Sequence, residues 1–178
     1  YDWNGRDVWN LNPYWVLNEM TNESGKDKFM GSALVRYNVN EHFKIQVTGG
    51  ADINFMNFQD YAAPTSPGFE QGQLQISDFR NRMYNIEALA IYNNSYTKFD
   101  YGVTIGGNLY KVDNKTQIVT AKEMVMRDVI ALQSFTSKEI TEGTYRKQIN
   151  SLYGSINLAY GNFVYLDATL RGDHSSTL

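Results

Sequence analysis

Apolar and polar positions alternate along six stretches of the chain, and the clearest runs from His42 to Asn54. There Phe43, Ile45, Val47, Gly49, Ala51 and Ile53 take turns with Lys44, Gln46, Thr48, Gly50, Asp52 and Asn54, the period of a strand with one apolar and one polar face. The run before it puts Gly31, Ala33, Val35, Tyr37 and Val39 opposite Ser32, Leu34, Arg36 and Asn38, and only Leu34 breaks the pattern. A third run, Asp78 to Asn93, sets Tyr84, Ile86, Ala88, Ala90 and Tyr92 against Asn85 and Glu87, with Leu89 and Ile91 blurring its second half. Phe99 to Tyr110 is cleaner: Phe99, Tyr101, Val103, Ile105, Gly107 and Leu109 alternate with Asp100, Gly102, Thr104, Gly106 and Asn108. In Ile149 to Tyr160, Leu152, Gly154, Ile156, Leu158 and Tyr160 face away from Ser151, Tyr153, Ser155 and Asn157. The last run opposes Val164, Leu166, Ala168 and Leu170 to Tyr165, Asp167, Thr169 and Arg171.

Short and long connections take turns between these runs. Asn40-Glu41, Asn93-Asn94-Ser95-Tyr96 and Gly161-Asn162 read as tight turns, whereas Asn57 to Ser77, with Pro64, Pro67 and Gly68, and Lys111 to Thr144 read as long loops. In an up-and-down antiparallel meander, all tight turns then lie at one end and all long loops at the other. Outer-membrane β-barrels have this asymmetry, with short periplasmic turns and long extracellular loops. Runs of roughly 12 residues also exceed the usual globular strand of about 5 to 6 and suit a tilted bilayer crossing of about 9 to 11. Near the tight-turn end Tyr37, Phe43, Tyr92, Tyr96, Phe99, Tyr101, Tyr160, Phe163 and Tyr165 form a candidate interfacial girdle. The expectation is an all-β arc of a transmembrane β-barrel with about six long strands. A soluble or surface-attached β-sandwich that binds carbohydrate or protein shares the alternation and stands as the alternative, although a sandwich breaks its strands into shorter pieces.

Composition narrows the function classes. With 16 basic and 19 acidic residues the net charge is -3, which supplies no field for a phosphate backbone, so nucleic acid is not an expected partner. The chain has no cysteine, which removes disulfides, thiolate metal sites and a cysteine nucleophile. No stretch approaches the roughly 20 consecutive apolar residues of a spanning helix, and Tyr1-Asp2-Trp3-Asn4 does not read as a signal peptide. High aromatic content, 13 Tyr and 9 Phe with only 3 Pro, suits long strands.

The last two strands carry a specific likeness. Tyr145-Arg146-Lys147-Gln148-Ile149-Asn150-Ser151-Leu152-Tyr153-Gly154-Ser155, followed by Tyr160, Tyr165-Leu166-Asp167, Thr169, Arg171-Gly172-Asp173 and Ser175-Ser176-Thr177-Leu178, resembles the mid-barrel signature of SusC-like TonB-dependent receptors. Asn12-Pro13-Tyr14-Trp15, Gly31 and Tyr37 resemble an earlier stretch of that family, so the likeness covers nearly the whole chain in order. His174 departs from the family's usual Trp, and Gly172 from a common Asn. The resemblance implies that residues 1–178 are a partial barrel domain, without the plug and the other strands of a roughly 22-stranded wall. It further implies import of a glycan or peptide across the outer membrane of a Gram-negative bacterium, with TonB and a SusD-like surface lipoprotein as partners and membrane lipid around the wall. An isolated arc has two unpaired edges and is expected to self-associate through them.

No enzyme, cofactor or metal site is expected. His42 and His174 are the only histidines, in separate segments. In Asp173-His174-Ser175, neighbours on a strand point to opposite faces and do not converge as a triad. Glu139 and Glu142 read as solvated charge, and Gly49-Gly50 and Gly106-Gly107 as bends or close approaches rather than phosphate cradles, since neither leads into a capped helix. Asn22-Glu23-Ser24, Asn93-Asn94-Ser95 and Asn114-Lys115-Thr116 match the glycosylation sequon, a short pattern that an outer-membrane protein gives no reason to use. Met124, Val125, Met126, Val129, Ile130 and Leu132, within Gln117 to Phe135, suit either a short helix or a strand extension. Substrate contact belongs on the long loops and the polar face. There Phe58, Tyr61 and Phe69 are candidates for stacking on a sugar, with loop packing the commoner role of such residues.

Overall fold

The structure is a computed structural model that describes residues 13–127, 129–161 and 163–177. Tyr1 to Asn4, Asn12, Asn162 and Leu178, named above, lie outside the described residues. A short helix, α1 (Pro13–Glu19), begins on a proline, whose fixed φ and missing N–H suit a first helical position. Six strands follow: β1 (Met20–Asn38), β2 (Phe43–Ala62), β3 (Gln73–Tyr96), β4 (Phe99–Met124), β5 (Phe135–Tyr160) and β6 (Val164–Thr177). They form one open antiparallel sheet in the order β1-β2-β3-β4-β5-β6, as an arc of a barrel wall does. Among the described residues no second sheet faces it, so the β-sandwich alternative is set aside.

Each tight turn has a local cause. Between β1 and β2 the Asn40 Oδ1 accepts the backbone N–H groups of His42 at 2.9 Å and Phe43 at 2.8 Å, the side-chain-to-backbone bond that makes asparagine a turn residue. The second turn is Thr97-Lys98, with Thr97 at φ 58°, not Asn93 to Tyr96 as expected. The asparagines there do not break the strand, because their polar groups are satisfied beside the ladder. Asn94 Nδ2 donates to the hydroxyls of Tyr92 at 3.3 Å and Tyr101 at 3.2 Å, and Asn93 N–H donates to the His42 carbonyl. Gly161 opens the third turn at φ 58°, where glycine carries no Cβ penalty.

The long loops are shorter than expected. Asn57 to Ser77 contracts to 63–72, since β2 continues to Ala62 and β3 starts at Gln73. Lys111 to Thr144 is mostly strand: β4 runs on to Met124 and β5 begins at Phe135, leaving 125–134 with one 3-10 turn at Leu132–Ser134. The extension reading of Gln117 onward therefore holds as far as Met124. Thr116, Ile118, Val119 and Thr120 are β-branched and keep the ladder going without an apolar face. Short and long connections still alternate along the chain.

The chain divides into two compact units, and strands pass through both: unit 1 gathers 1–27, 54–80 and 115–144, and unit 2 gathers 28–53, 81–114 and 145–178. Unit 1 has a small core in which Tyr61, Ala63, Leu74, Ala121 and Phe135 are buried, with Ile76, Met124 and Leu132 packed against them. Its loop 63–72 is pinned by Trp15, whose indole N–H donates to the buried Ser66 Oγ at 2.9 Å. Among the described residues, nothing in unit 2 covers the apolar side of its sheet. Ile45, Val47, Ile86, Ile105, Leu152, Ile156, Leu166 and Leu170 are all exposed on the apolar side.

Candidate functional site

In unit 2 the two faces of the sheet have opposite chemistry, and strand register and side-chain contacts fix which residues share each. The β5–β6 register sets Tyr153 against Arg171, Asn157 against Asp167 and Ser151 against Asp173 on one face, and Ile156 against Ala168 and Leu158 against Leu166 on the other. On the polar face Lys28 pairs with Asp52 at 3.2 Å, Arg36 Nη2 donates to Gln46 Oε1 at 2.8 Å, and Asn108 Nδ2 donates to Asn85 Oδ1 at 2.7 Å. Tyr153 is the centre of a larger network. Its hydroxyl donates to the Glu87 carboxylate, and the Arg171 guanidinium lies 5.6 Å from its ring centroid. Arg171 in turn donates to Asp173 Oδ1 at 3.0 Å and to Ser151 Oγ at 3.1 Å.

Glycine makes room for this network. A Cβ on Gly106 would lie 2.6 Å from Leu89 Cδ2 and 2.7 Å from the Tyr153 ring, so both side chains close over a bare backbone position. Leu89, which blurs the third alternating run, thus occupies the polar face for packing. Towards the tight-turn end the same face opens into a cleft of about 600 Å³ whose lining includes Asn93, Asp100, Gly102, Asn157, Tyr165 and Asp167. Amides, carboxylates and the phenols of Tyr101 and Tyr165 there suit hydrogen bonding to a polar partner.

On the apolar face the aromatics gather as expected, with His42 to Tyr92, Tyr92 to Tyr101 and Phe99 to Tyr101 ring centroids 6.2, 6.1 and 6.0 Å apart, and Tyr160 edge-on to Phe163. Tyr165 is a correction to the girdle. It pairs with Ala159 and lines the polar cleft, because its odd position shares a face with Asp167 and not with Val164 and Leu166. Asp173, His174 and Ser175 sit opposite Ser151, Asn150 and Ile149 on successive rungs, which keeps His174 on the other face from its two neighbours. His42 places its ring Nδ1 3.2 Å from the Asn93 carbonyl.

The stacking candidates are all in unit 1. Tyr61 is buried in the core with its hydroxyl 3.5 Å from Met124 Sδ, and burial, then the nearby Glu19 carboxylate, raises its pKa. Phe58 packs edge-on against Phe79 at 5.9 Å. Phe69 is half-buried and lines a pocket of about 250 Å³ with Val16, Met20 and Asp60. Phe58 therefore packs between strands β2 and β3, Tyr61 packs in the core, and Tyr61 and Phe69 both line the pocket. Glu139 and Glu142, expected in a loop, belong to β5, and Glu142 Oε1 accepts Gln117 Nε2 at 3.0 Å. The Tyr153 network is not legible in the sequence because its members come from three strands, β3, β5 and β6, and only the odd positions of β5 and β6 hint at it.

No family model matches the sequence, and no curated protein does. The fold is similar to that of a chain in the structure of the RagAB peptide transporter, with a TM-score of 0.78 at 16% identity over 92% of this chain and 19% of that one. The RagAB peptide importer in its "open-open" and "closed-closed" states matches with the same TM-score and coverage at 17% identity. At that identity the likeness is one of fold, and the chain spans about a fifth of the matched chain's length. The six antiparallel strands from Met20 to Thr177 thus share their fold with part of that chain.

Proposed function

We propose that this chain supplies wall and loops to an outer-membrane importer of the SusC-like, TonB-dependent kind. The observation that carries the reading is the two-faced sheet of unit 2. Phe99 to Leu109 and Leu152 to Tyr160 offer an uncharged apolar face with no protein against it, while the reverse face holds the Glu87–Tyr153–Arg171–Asp173 network. A fully buried Leu or Ile side chain gains about 1.5–3 kcal/mol over an exposed one, so a sheet with this many bare apolar side chains needs lipid to cover it. Likeness of fold to a peptide importer and the resemblance of Tyr145 to Thr177 to the SusC-like signature support the same reading. The imported class is then a peptide or a glycan. TonB and a SusD-like lipoprotein serve the whole receptor, and this segment has no catalytic role of its own.

Uptake by cells that make the whole protein tests the proposal. Deleting its gene should abolish growth on one class of oligopeptide or polysaccharide, and collapse of the proton-motive force should stop the same uptake. Unchanged uptake across both panels would sink the importer reading.

A further inference from the structure

The apolar face of unit 2 ends differently at its two ends. Aromatic rings close it towards the tight turns, whereas Arg82, Lys111 and Arg146 bound it at the other end of the same face. Alternation assigns them: Arg82 precedes the outward Tyr84 and Ile86, Lys111 follows Leu109, and Arg146 shares its parity with Leu152 and Ile156. From Tyr84 to Tyr92, Phe99 to Leu109 and Leu152 to Tyr160 no outward position carries charge, so these cations begin where the apolar band stops. Asn93 sits beside Gly102 and Leu89 beside Gly106, a spacing that carries Arg82 to the rung of Asp113. Asp113 in turn lies 3.7 Å from Arg146 Nε. Asp113 is half-buried between the two arginines, and all three cations are exposed. Among the described residues the side chains of Arg82 and Lys111 make no hydrogen bond or ion pair.

We infer that Arg82, Lys111 and Arg146 form a binding site for the phosphate groups of the outer-leaflet lipid beside the barrel. This rests on the membrane-wall reading above. Three cations against one carboxylate leave the collar positive, and its position next to the apolar band puts it at the depth of headgroups whose acyl chains cover Ile105 and Leu152. Arginine forks match phosphate oxygens in a bidentate way, and lysine adds a point charge. A juxtamembrane cation strengthens attachment to an anionic surface about fivefold, so unpaired Arg82 and Lys111 together are worth about 25-fold.

Partition of the 178-residue chain into phosphatidylcholine vesicles with and without diphosphoryl lipid A measures this. The chain should favour the lipid A vesicles, and R82Q/K111Q should lose about 25-fold of that preference. D113N, which releases Arg146, should raise it, while R36Q/K147Q, on the polar face, should leave it unchanged. Inorganic phosphate should not displace the chain from the vesicles. A preference that survives R82Q/K111Q, falls equally in R36Q/K147Q, or is abolished by inorganic phosphate overturns the lipid site and leaves the wall reading standing. Failure to enter phosphatidylcholine vesicles as β-structure overturns both.

Discussion

Ile105→Arg places a charge on the apolar face of β4, an inner strand of the sheet, where Ile105 is 58% exposed. The magnitude follows from depth. Ten steps from Phe99 to Leu109 at about 3.3 Å each span about 33 Å, and a tilt of about 40° turns this into about 25 Å, the height of a barrel's apolar band. Ile105 stands six of those steps along, close to the midplane, where an outward Arg costs about 2–4 kcal/mol. The folded population in a membrane should fall by about 30- to 900-fold. Phe99→Arg, at the band's edge, should cost about 0–1 kcal/mol, and Thr104→Arg, one residue away on the polar face, about 1 kcal/mol or less. Denaturant titrations in phosphatidylcholine vesicles, followed by far-UV circular dichroism, give the three values. Equal costs for Ile105→Arg and Thr104→Arg would refute the assignment of faces.

Gly106→Ala should destabilise unit 2 by about 1–3 kcal/mol, because the new methyl meets Leu89 and the Tyr153 ring at under 3 Å, whereas Gly107→Ala, whose Cβ meets only the Ser151 carbonyl at 3.6 Å, should be tolerated; paired denaturant titrations compare them. Asn40→Ala removes both side-chain bonds of the first turn and should cost about 1–3 kcal/mol, read as faster amide exchange at His42 and Phe43. Tyr61 has a folded pKa raised above its ordinary value of 10.0, so its contribution is fully present below pH 10 and is lost as pH rises through the folded pKa. The core of unit 1 should loosen at alkaline pH, and Tyr61→Phe should remove that dependence; amide exchange at Leu74 and Ala121 reports it.

The two faces were legible because a strand's side chains alternate strictly and one face of unit 2 stays apolar from rung to rung. Where that apolar band ends, so does the signal. Lys111, Asp113, Lys115 and Gln117 point outward from β4 while Val112 faces inward, so the apolar period disappears although the hydrogen-bonded ladder continues to Met124. Asn93 to Ser95 has turn composition, yet the Asn94 amide donates to Tyr92 and Tyr101 and the Asn93 N–H to the His42 carbonyl, and the turn moves to Thr97-Lys98. The core of unit 1 was hidden for another reason: Tyr61, Leu74, Ala121 and Phe135 lie on four separate strands and share no local period. Sites suffer similarly, since the Glu87–Tyr153–Arg171 network is a product of register, which alternation alone does not specify.

Depth-dependent quenching by brominated lipids tests the central claim most directly. With single cysteines at Ile105, Ile156, Asn108 and Asn157, each labelled with a small fluorophore in reconstituted vesicles, Ile105 and Ile156 should be quenched strongly and Asn108 and Asn157 weakly. Strong quenching at Asn108 and Asn157, or weak quenching at all four, would contradict a wall with one face in lipid and the other lining a polar lumen.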